Sequence, residues 1–189
     1  MPEAFSRRFM APAAGIDWAG RSVGTADLRG SMLAGAQLQD TDFRGADLRG
    51  VCFRQADARG AIFDGVNLRN ADFTGALLQG ARFRQCCLHE VSFRQALLLS
   101  AHLEGAAVDA AEFTGANLEW AWLDGVDFRR AVVMSALFLN VRGLSENSRL
   151  AIEQRGGFTG MRPMILGREL YETSVAGDAA GPSPEAGEL

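Results

Sequence analysis

Apolar and polar positions recur along this chain with a period of five residues. From Ile16 to Val141 the pattern continues without one insertion or deletion. In consecutive blocks of five that begin at Ile16, the third place is always apolar, the first place is mostly small or β-branched, and the fifth is often Gly, Asn or Gln. Self-similarity at a fixed period indicates a repeat array, and it outweighs local helix or strand propensity.

A period of five excludes both regular elements. In an α-helix, five residues turn the chain by about 500°, so the third-place residues would scatter around the axis. In a flat strand, an odd period would send them to opposite faces in turn. The pattern instead predicts a short extended step followed by a two-residue corner. Repeated corners of one hand wind the chain into a coil whose interior is filled by side chains.

Several blocks also share a sequence motif. ADLRG occurs at 26–30 and again at 46–50, ADFTG at 71–75, and GANLE at 115–119. These blocks resemble the A(D/N)Lxx motif of the pentapeptide-repeat family, and the resemblance covers about two-thirds of the chain. It implies an all-β fold, namely a right-handed quadrilateral β-solenoid with four pentapeptides, or twenty residues, in each coil.

The core positions give an independent check on that coil length. From Phe43 to Leu98 the third place alternates between Phe and a smaller residue, a period of ten that divides twenty. Like residues would therefore stack on like, in coils about 4.8 Å apart. The predicted structural core contains the phenylalanines of two such columns: Phe43, Phe53, Phe63, Phe73, Phe83, Phe93 and Phe113.

The period ends near Val141, and the chain after it predicts a helix. Ser145 is a candidate N-cap, the helix is expected to run to about Arg155, and Gly156 follows. Leu150 and Ala151 are expected to lie over the open end of the coil. The predicted segments are an N-terminal cap (1–15), the solenoid (16–143), a C-terminal helix with an apolar capping or dimerisation segment (144–174), and a disordered tail (175–189).

Charge and composition restrict the function. The net charge is −4, and residues 16–143 contain 15 acidic residues and 13 Arg with no clustered basic face, so direct nucleic-acid binding is not expected. No stretch approaches the roughly 20 apolar residues of a membrane span. The three cysteines have neither CxxC nor Cys/His spacing, which favours a reduced, cytoplasmic protein without a metal site.

Outward places repeatedly hold Asp and, two residues later, Arg. Residues two apart on an extended step share a face, so each pair is predicted to meet over the side of the coil. Such pairs neutralise each other and contribute little individually. The predicted pairs are Asp27 with Arg29, Asp42 with Arg44, Asp47 with Arg49, Asp57 with Arg59, and Asp127 with Arg129.

No group of residues has the spacing that catalysis requires. His89 and His102 stand at different block places and on different sides of the coil, and nucleotide-binding glycine motifs are absent. Ser92 and Ser100 have no partner base at a spacing compatible with the repeat. The chain is therefore expected to have no catalytic residues, no cofactor and no enzymatic activity.

One outer side combines apolar residues at outward places. Positions 77, 97, 117 and 137 are successive multiples of one coil, so their side chains are expected to stand above one another. Contiguous exposed apolar surface usually marks an interface. The candidate protein interface comprises Leu77, Leu97, Leu99, Trp120, Trp122, Leu137 and Leu139. Either the apolar segment from Met161 to Tyr171 covers it within the chain, or a second subunit does so in a homodimer.

The predicted function is that of a non-enzymatic protein-binding or scaffold module with an unknown target. The alternative comes from the family resemblance. It implies a dimeric rod that imitates duplex DNA, binds a type II topoisomerase such as DNA gyrase, and confers antibiotic resistance to quinolone-like or peptide poisons. The even distribution of acidic and basic residues does not favour that alternative, because a mimic of the phosphate backbone should present an anionic stripe.

Overall fold

The computed structural model describes residues 16–160, and its backbone repeats every twenty residues. Parallel β-bridges join residues of successive coils, for example Asp27 to Asp47 and Asp47 to Asn67. The chain therefore forms a β-helix with the coil length that the alternation of core residues predicts. The handedness of the coil remains a prediction. The predicted cap 1–15 and the segments from Met161 onward lie outside the described residues.

Each coil is linked to the next by three kinds of backbone hydrogen bond, one of which runs from a fifth-place N–H to a fourth-place carbonyl one coil on, as from Gly30 N to Arg49 O at 2.9 Å. The N–H of a third-place residue donates to a second-place carbonyl one coil on, as Leu28 N does to Asp47 O at 3.0 Å. The N–H of a second-place residue donates back to a first-place carbonyl, as Asp47 N does to Ala26 O at 3.0 Å. The bridges involve only the second-place residue of a block, so residues 16–160 contain no longer strand.

The corners are four-residue turns that require a left-handed backbone conformation. Ser31 N donates to Leu28 O at 2.9 Å across one such turn, and Gly30 between them has a φ of 63°. Gly adopts this conformation without a steric penalty, which explains its frequency at the fifth place. Within residues 16–160, eleven other corners use a residue with a side chain, including Asn70 and Trp120 with φ of 60° and 63°. Each of these corners stores a small amount of strain.

Four blocks complete one coil, so the outward second-place residues form four columns, which we call faces 1 to 4. Face 1 contains Asp17, Gln37, Asp57, Leu77, Leu97, Asn117, Leu137 and Phe158. Face 2 contains Ser22, Asp42, Ile62, Arg82, His102, Trp122 and Arg142. Face 3 contains Asp27, Asp47, Asn67, Cys87 and Ala107, and Asp127 follows without a bridge. Face 4 contains Met32, Cys52, Asp72, Ser92, Glu112 and Val132.

The core is a stack of aromatic and aliphatic layers. The seven phenylalanines assigned to it from the sequence are fully buried. Within a column the rings stack face to face, as Phe43 does on Phe63 at 4.9 Å between centroids. Between columns they meet edge to face, as Phe63 and Phe73 do at 5.6 Å. Both arrangements are favourable for aromatic quadrupoles, so the interior is both apolar and geometrically specified.

Helix α1, Glu146–Gln154, closes the C-terminal end of the coil. Ser145 caps it by accepting a hydrogen bond from the N–H of Ser148, as the sequence predicts. The buried face of the helix consists of Ser148 and Ile152. The expectation that Leu150 covers the coil end is wrong, because its side chain is 43% exposed. Periodicity explains the difference: Ser148 and Ile152 are four residues apart and share one side of the helix, whereas Leu150 lies across from them.

The chain after α1 rejoins the coil. Ser135 N donates to Gly156 O at 2.8 Å, Phe158 N donates to Ala136 O at 2.9 Å, and Phe138 N donates to Phe158 O at 2.7 Å. Phe158 therefore occupies the next position above Leu137 on face 1, although the five-residue period has already ended. No helix within residues 16–160 is long and apolar enough to cross a membrane.

Candidate functional site

Face 1 changes its chemical character along the rod. Its N-terminal half presents polar side chains such as Gln37 and Asp57, whereas Leu77 and Leu97 follow one coil after another. Leu99 and Leu139 stand at the fourth place of the same face, next to Leu97 and Leu137. The bridges join Leu77 to Leu97 and Leu97 to Asn117, so these side chains lie in register. The C-terminal half of face 1 is thus a mainly aliphatic column on the outside of the protein, interrupted by Asn117.

The exposure of this column is uneven. Leu97 is 36% exposed, whereas Leu77, Leu99, Leu137 and Leu139 are partly buried. Trp120 at the corner between faces 1 and 2 is 55% exposed. Large apolar side chains at solvent-facing positions are unusual when they are contiguous.

The structure adds two residues that the periodic pattern did not single out. Phe158 is 57% exposed and extends the aliphatic column above Leu137. Met134 is 60% exposed at the corner that leads from face 4 into face 1. Met134 occupies an outward fourth place, so the sequence contained a signal for it. Phe158 had no such signal, because its place on face 1 depends on the path of the chain around α1.

We use the term apolar patch for the outward residues of this region on face 1. It comprises Leu77, Leu97, Leu99, Trp120, Leu137, Leu139 and Phe158. Two polar residues interrupt it, because Asn117 and Glu119 stand between the leucines of neighbouring coils. Asn117 Oδ1 accepts a hydrogen bond from Glu119 N at 2.9 Å. Within residues 16–160, Glu119 has no cationic side chain at ion-pair distance, so the patch contains an unneutralised carboxylate.

Trp122 belongs to a different environment. It lies on face 2, where its ring stacks on His102 with centroids 5.5 Å apart. The guanidinium carbon of Arg142 lies 4.4 Å from its centroid on the next coil. Because it lies on face 2, Trp122 stands around the corner from the apolar patch. Its indole ring is covered by His102 and by the cation–π contact with Arg142.

Face 2 also contains a connected set of charged groups. Arg84 donates from Nε to Glu104 Oε1 at 3.1 Å, and its Nη2 lies 3.0 Å from His102 Nδ1. Burial alone would raise the pKa of Glu104, but hydrogen bonds from its own backbone N–H, His102 and Arg84 hold that pKa below its ordinary value. A carboxylate held in its ionised form by a cationic partner is suited to surface structure rather than to proton transfer.

Elsewhere on the surface, all five predicted Asp–Arg pairs are confirmed. Their shortest oxygen–nitrogen distances lie between 2.5 and 2.7 Å. In each pair the Arg side chain lies over the Asp two residues before it, so the charges cancel locally. Faces 2 and 3, where four of the five pairs lie, therefore present alternating charge instead of a stripe of one sign.

The candidates for chemistry are dispersed. Cys52, Cys86 and Cys87 are free cysteines, and burial raises the pKa of the Cys86 thiol to about 12. A thiol with so high a pKa is unreactive at neutral pH. His89 stands on face 3, away from His102 on face 2. Among residues 16–160, no group of three or more His, Cys, Asp or Glu side chains is arranged to hold a metal ion.

Comparison with known proteins identifies matches to two pentapeptide-repeat family models. The family model described as "Pentapeptide repeat region" matches residues 36–113, and the one described as "Pentapeptide repeats (8 copies)" matches residues 111–132. Together the two matches span more than half of the chain. No curated protein matches the sequence significantly.

Several solved structures are similar at low sequence identity. HetL, a pentapeptide repeat protein involved in heterocyst differentiation regulation from the cyanobacterium Nostoc sp. strain PCC 7120, is 23% identical with a TM-score of 0.40. That match covers 68% of this chain and 62% of HetL, less than two-thirds of its length. A trypsin-treated form of QnrB1, a plasmid-mediated fluoroquinolone resistance protein, is 19% identical with a TM-score of 0.42 over 79% of this chain and 91% of that chain.

A third structure is more similar in sequence over a shorter range. The pentapeptide repeat protein alr5209 from Nostoc PCC 7120 is 35% identical with a TM-score of 0.40, covering 49% of this chain and 69% of that chain. The residues that the family models match lie inside the array with the twenty-residue coil and the left-handed corners described above. The chain belongs to the pentapeptide-repeat family.

Proposed function

We propose that this protein is a non-enzymatic binding module and that its apolar patch receives a protein partner. The observation that supports the proposal is the position of Leu97, Trp120 and Phe158, which expose large apolar side chains on one side of the coil. An apolar surface of this kind loses water favourably when a complementary surface covers it. The fold acts as a rigid support, which we infer to be the right-handed four-sided solenoid of residues 16–143.

The patch also has the composition of a recognition surface. Trp and Phe are enriched at the centres of protein interfaces, where they supply much of the binding energy. In this protein Trp120 and Phe158 flank a floor of partly buried leucines. The carboxylate of Glu119 in the middle of that floor would select a partner with a basic side chain at the matching position. We therefore propose a partner segment that is apolar with at least one Arg or Lys.

The experiment is site-specific photo-cross-linking in cells. A photo-reactive amino acid at position 97 in the patch is compared with one at Ala107, an exposed position on the opposite face 3. A partner that cross-links only from position 97 is then purified, and its affinity is measured with the Leu97→Glu/Leu137→Glu variant. We expect at least a tenfold loss of affinity. Identical cross-linked products from both positions would contradict the assignment of the patch.

The alternative partner, DNA gyrase or another type II topoisomerase, makes a different demand on the surface. A mimic of duplex DNA needs a stripe of negative charge, because the phosphate backbone dominates recognition by DNA-binding proteins. The pairing of Asp27 with Arg29 and of Asp47 with Arg49 removes such a stripe from face 3. A gyrase supercoiling assay with and without fluoroquinolone decides this alternative. Protection of supercoiling by the protein would establish it, and unchanged inhibition would exclude it.

A further inference from the structure

We propose that the apolar patch is covered in cis by the segment from Met161 to Tyr171 of the same chain, so that a partner must displace this segment. This inference rests on the proposed function in one respect: it takes the apolar patch to be the surface that binds the partner. The segment itself lies outside the described residues, which end at Gly160.

The chain reaches residue 160 while it is in contact with the patch. Phe158 is joined to Leu137 by a β-bridge on face 1. Two residues later, a Cβ built on Gly160 would lie 3.1 Å from Cδ2 of Leu139. The segment thus begins at the C-terminal edge of the surface that it would cover. No linker has to be closed, so the entropic cost of bringing the two together is small and the effective concentration is high.

The length of the segment fits the length of the patch. The patch spans four coil steps from Phe158 to Leu77, which is roughly 19 Å at about 4.8 Å for each step. Eleven residues in extended conformation reach roughly 36 Å at about 3.3 Å for each residue. The segment can therefore cross the whole patch even if part of it is helical or turns back.

Its chemistry also fits. The sequence from Met161 to Tyr171 contains six apolar or aromatic residues: Met161, Met164, Ile165, Leu166, Leu170 and Tyr171. It also contains Arg162 and Arg168. Within residues 16–160 the Glu119 carboxylate has no ion-pair partner, and either Arg would supply one. An apolar segment with at least one basic residue is the kind of ligand that we propose for the patch.

The test is disulfide trapping in the full-length chain with its three native cysteines replaced (Cys52→Ser, Cys86→Ala, Cys87→Ser). One new cysteine replaces Ile165, and the other replaces either Leu99 in the patch or Ala107 on face 3. We expect the Leu99→Cys/Ile165→Cys pair to oxidise at least ten times faster than the Ala107→Cys/Ile165→Cys pair. The product should migrate as a monomer on a non-reducing gel, with the cross-linked peptides confirmed by mass spectrometry.

Two results would overturn the proposal. Equal oxidation rates for the two pairs would show that the segment does not prefer the patch. A disulfide-linked dimer as the main product would show that a second copy covers it, which is the homodimer that the sequence also predicts.

A second measurement keeps the proposal testable if the cysteine variants fold poorly. The full-length Ile165→Asp/Leu166→Asp variant should bind a hydrophobic dye such as bis-ANS at least threefold more strongly than the wild type, whereas Val175→Asp/Ala176→Asp should not. Equal dye binding by all three proteins would contradict the inference.

The two proposals fail separately. If the intramolecular disulfide forms but no partner cross-links from position 97, the covering segment is correct and the partner-binding function is wrong. If a partner binds wild type and the Ile165→Asp/Leu166→Asp variant with the same affinity, the function is correct and the covering segment is wrong.

Discussion

The rings of Phe53 and Phe73 lie nearly parallel, with centroids 4.6 Å apart and 7° between their planes. That separation is close to the spacing of adjacent strands, because the two residues occupy the same place in successive coils. Each ring is also met edge-on by a phenylalanine of the opposite column, as Phe73 is by Phe83 at 5.7 Å. The core is therefore held in two directions by aromatic contacts, and no layer can change size without affecting its neighbours.

Replacement of Phe73 by Ala should lower the free energy of unfolding by about 3–5 kcal/mol. The side chain is fully buried, and its loss removes contacts with rings in both columns. Thermal and urea denaturation of the variant measure the change, with Arg94→Ala on the same face as the control, because that side chain is exposed. An unchanged melting temperature for Phe73→Ala would show that the assigned core register is wrong.

The core was accessible from the sequence because the repeat specifies it many times. Each block places one apolar residue five positions after the apolar residue of the preceding block. A single atypical residue therefore cannot shift the predicted register. The pairing of Asp42 with Arg44 was predictable for the same reason, since residues two apart share a face wherever the block is repeated. Local rules were sufficient in residues 16–143 because the parallel bridges and the stacked core rings join each block to the equivalent block one coil away.

The five-residue period could not predict the path of the chain at the C-terminal end of the coil. Phe158 joins face 1 only because α1 and the two glycines after it return the chain to the coil. This is a long-range consequence of one irregular segment, and no period encodes it. For the same reason the covering role given to Leu150 was wrong, because the orientation of one short helix depends on Ser148 finding partners on the coil.

Substitution of Gly80 tests whether the corners require a residue that readily adopts positive φ, because no neighbouring atom would clash with an added side chain. Its φ is 68°, and a Cβ at this position would meet nothing within 4 Å. We expect Gly80→Ala to destabilise the protein by about 1–2 kcal/mol, the cost of a left-handed conformation for a residue with a side chain. Urea denaturation measures it.

The reverse substitution is the matched control. Ser100 lies one coil further on with a φ of 55°. Ser100→Gly should raise stability, although by less, because Gly also gains entropy in the unfolded chain. If both variants were as stable as the wild type, the corners would not be strained.

The charge pairs predict how stability depends on pH. The hydrogen bond from Arg59 lowers the pKa of Asp57 below its ordinary value of 3.8, with further contributions from Gln39 and the Arg59 backbone. A group whose folded-state pKa is lowered contributes stability above its unfolded pKa, and loses it as the pH falls through the folded value. Asp42, Asp47 and Asp127 share this direction. The free energy of unfolding should therefore decline below about pH 4.

Asp57→Asn should remove part of that decline and cost at most about 1 kcal/mol at neutral pH, the upper end for a partly exposed pair. Denaturation curves at pH 3, 4, 5 and 7 give the comparison. Asp124→Asn is the control, because Asp124 makes no ion pair within residues 16–160. An acid limb of the same steepness in Asp57→Asn and wild type would show that this pair does not contribute to acid sensitivity.

Ser148 connects α1 to the end of the coil and gives the most local test of the cap. Its hydroxyl accepts a hydrogen bond from Phe128 N at 3.2 Å and donates to Val126 O at 3.3 Å. These are backbone groups of the last coil on face 3, at the point where the bridge expected between Ala107 and Asp127 is absent. Ser148 is buried, so water cannot replace its hydroxyl unless the helix moves away.

Ser148→Ala should therefore leave two buried backbone groups without a partner and cost about 1–3 kcal/mol. Hydrogen exchange separates this mechanism from a general loss of stability. The amide of Phe128 should exchange at least tenfold faster in the variant, because it opens with the cap, whereas that of Phe73 should follow global unfolding. Asn147→Ala, an exposed substitution on the same helix, should change neither rate. Equal protection of Phe128 in Ser148→Ala and wild type would show that the hydrogen bonds of Ser148 do not hold the helix on the coil.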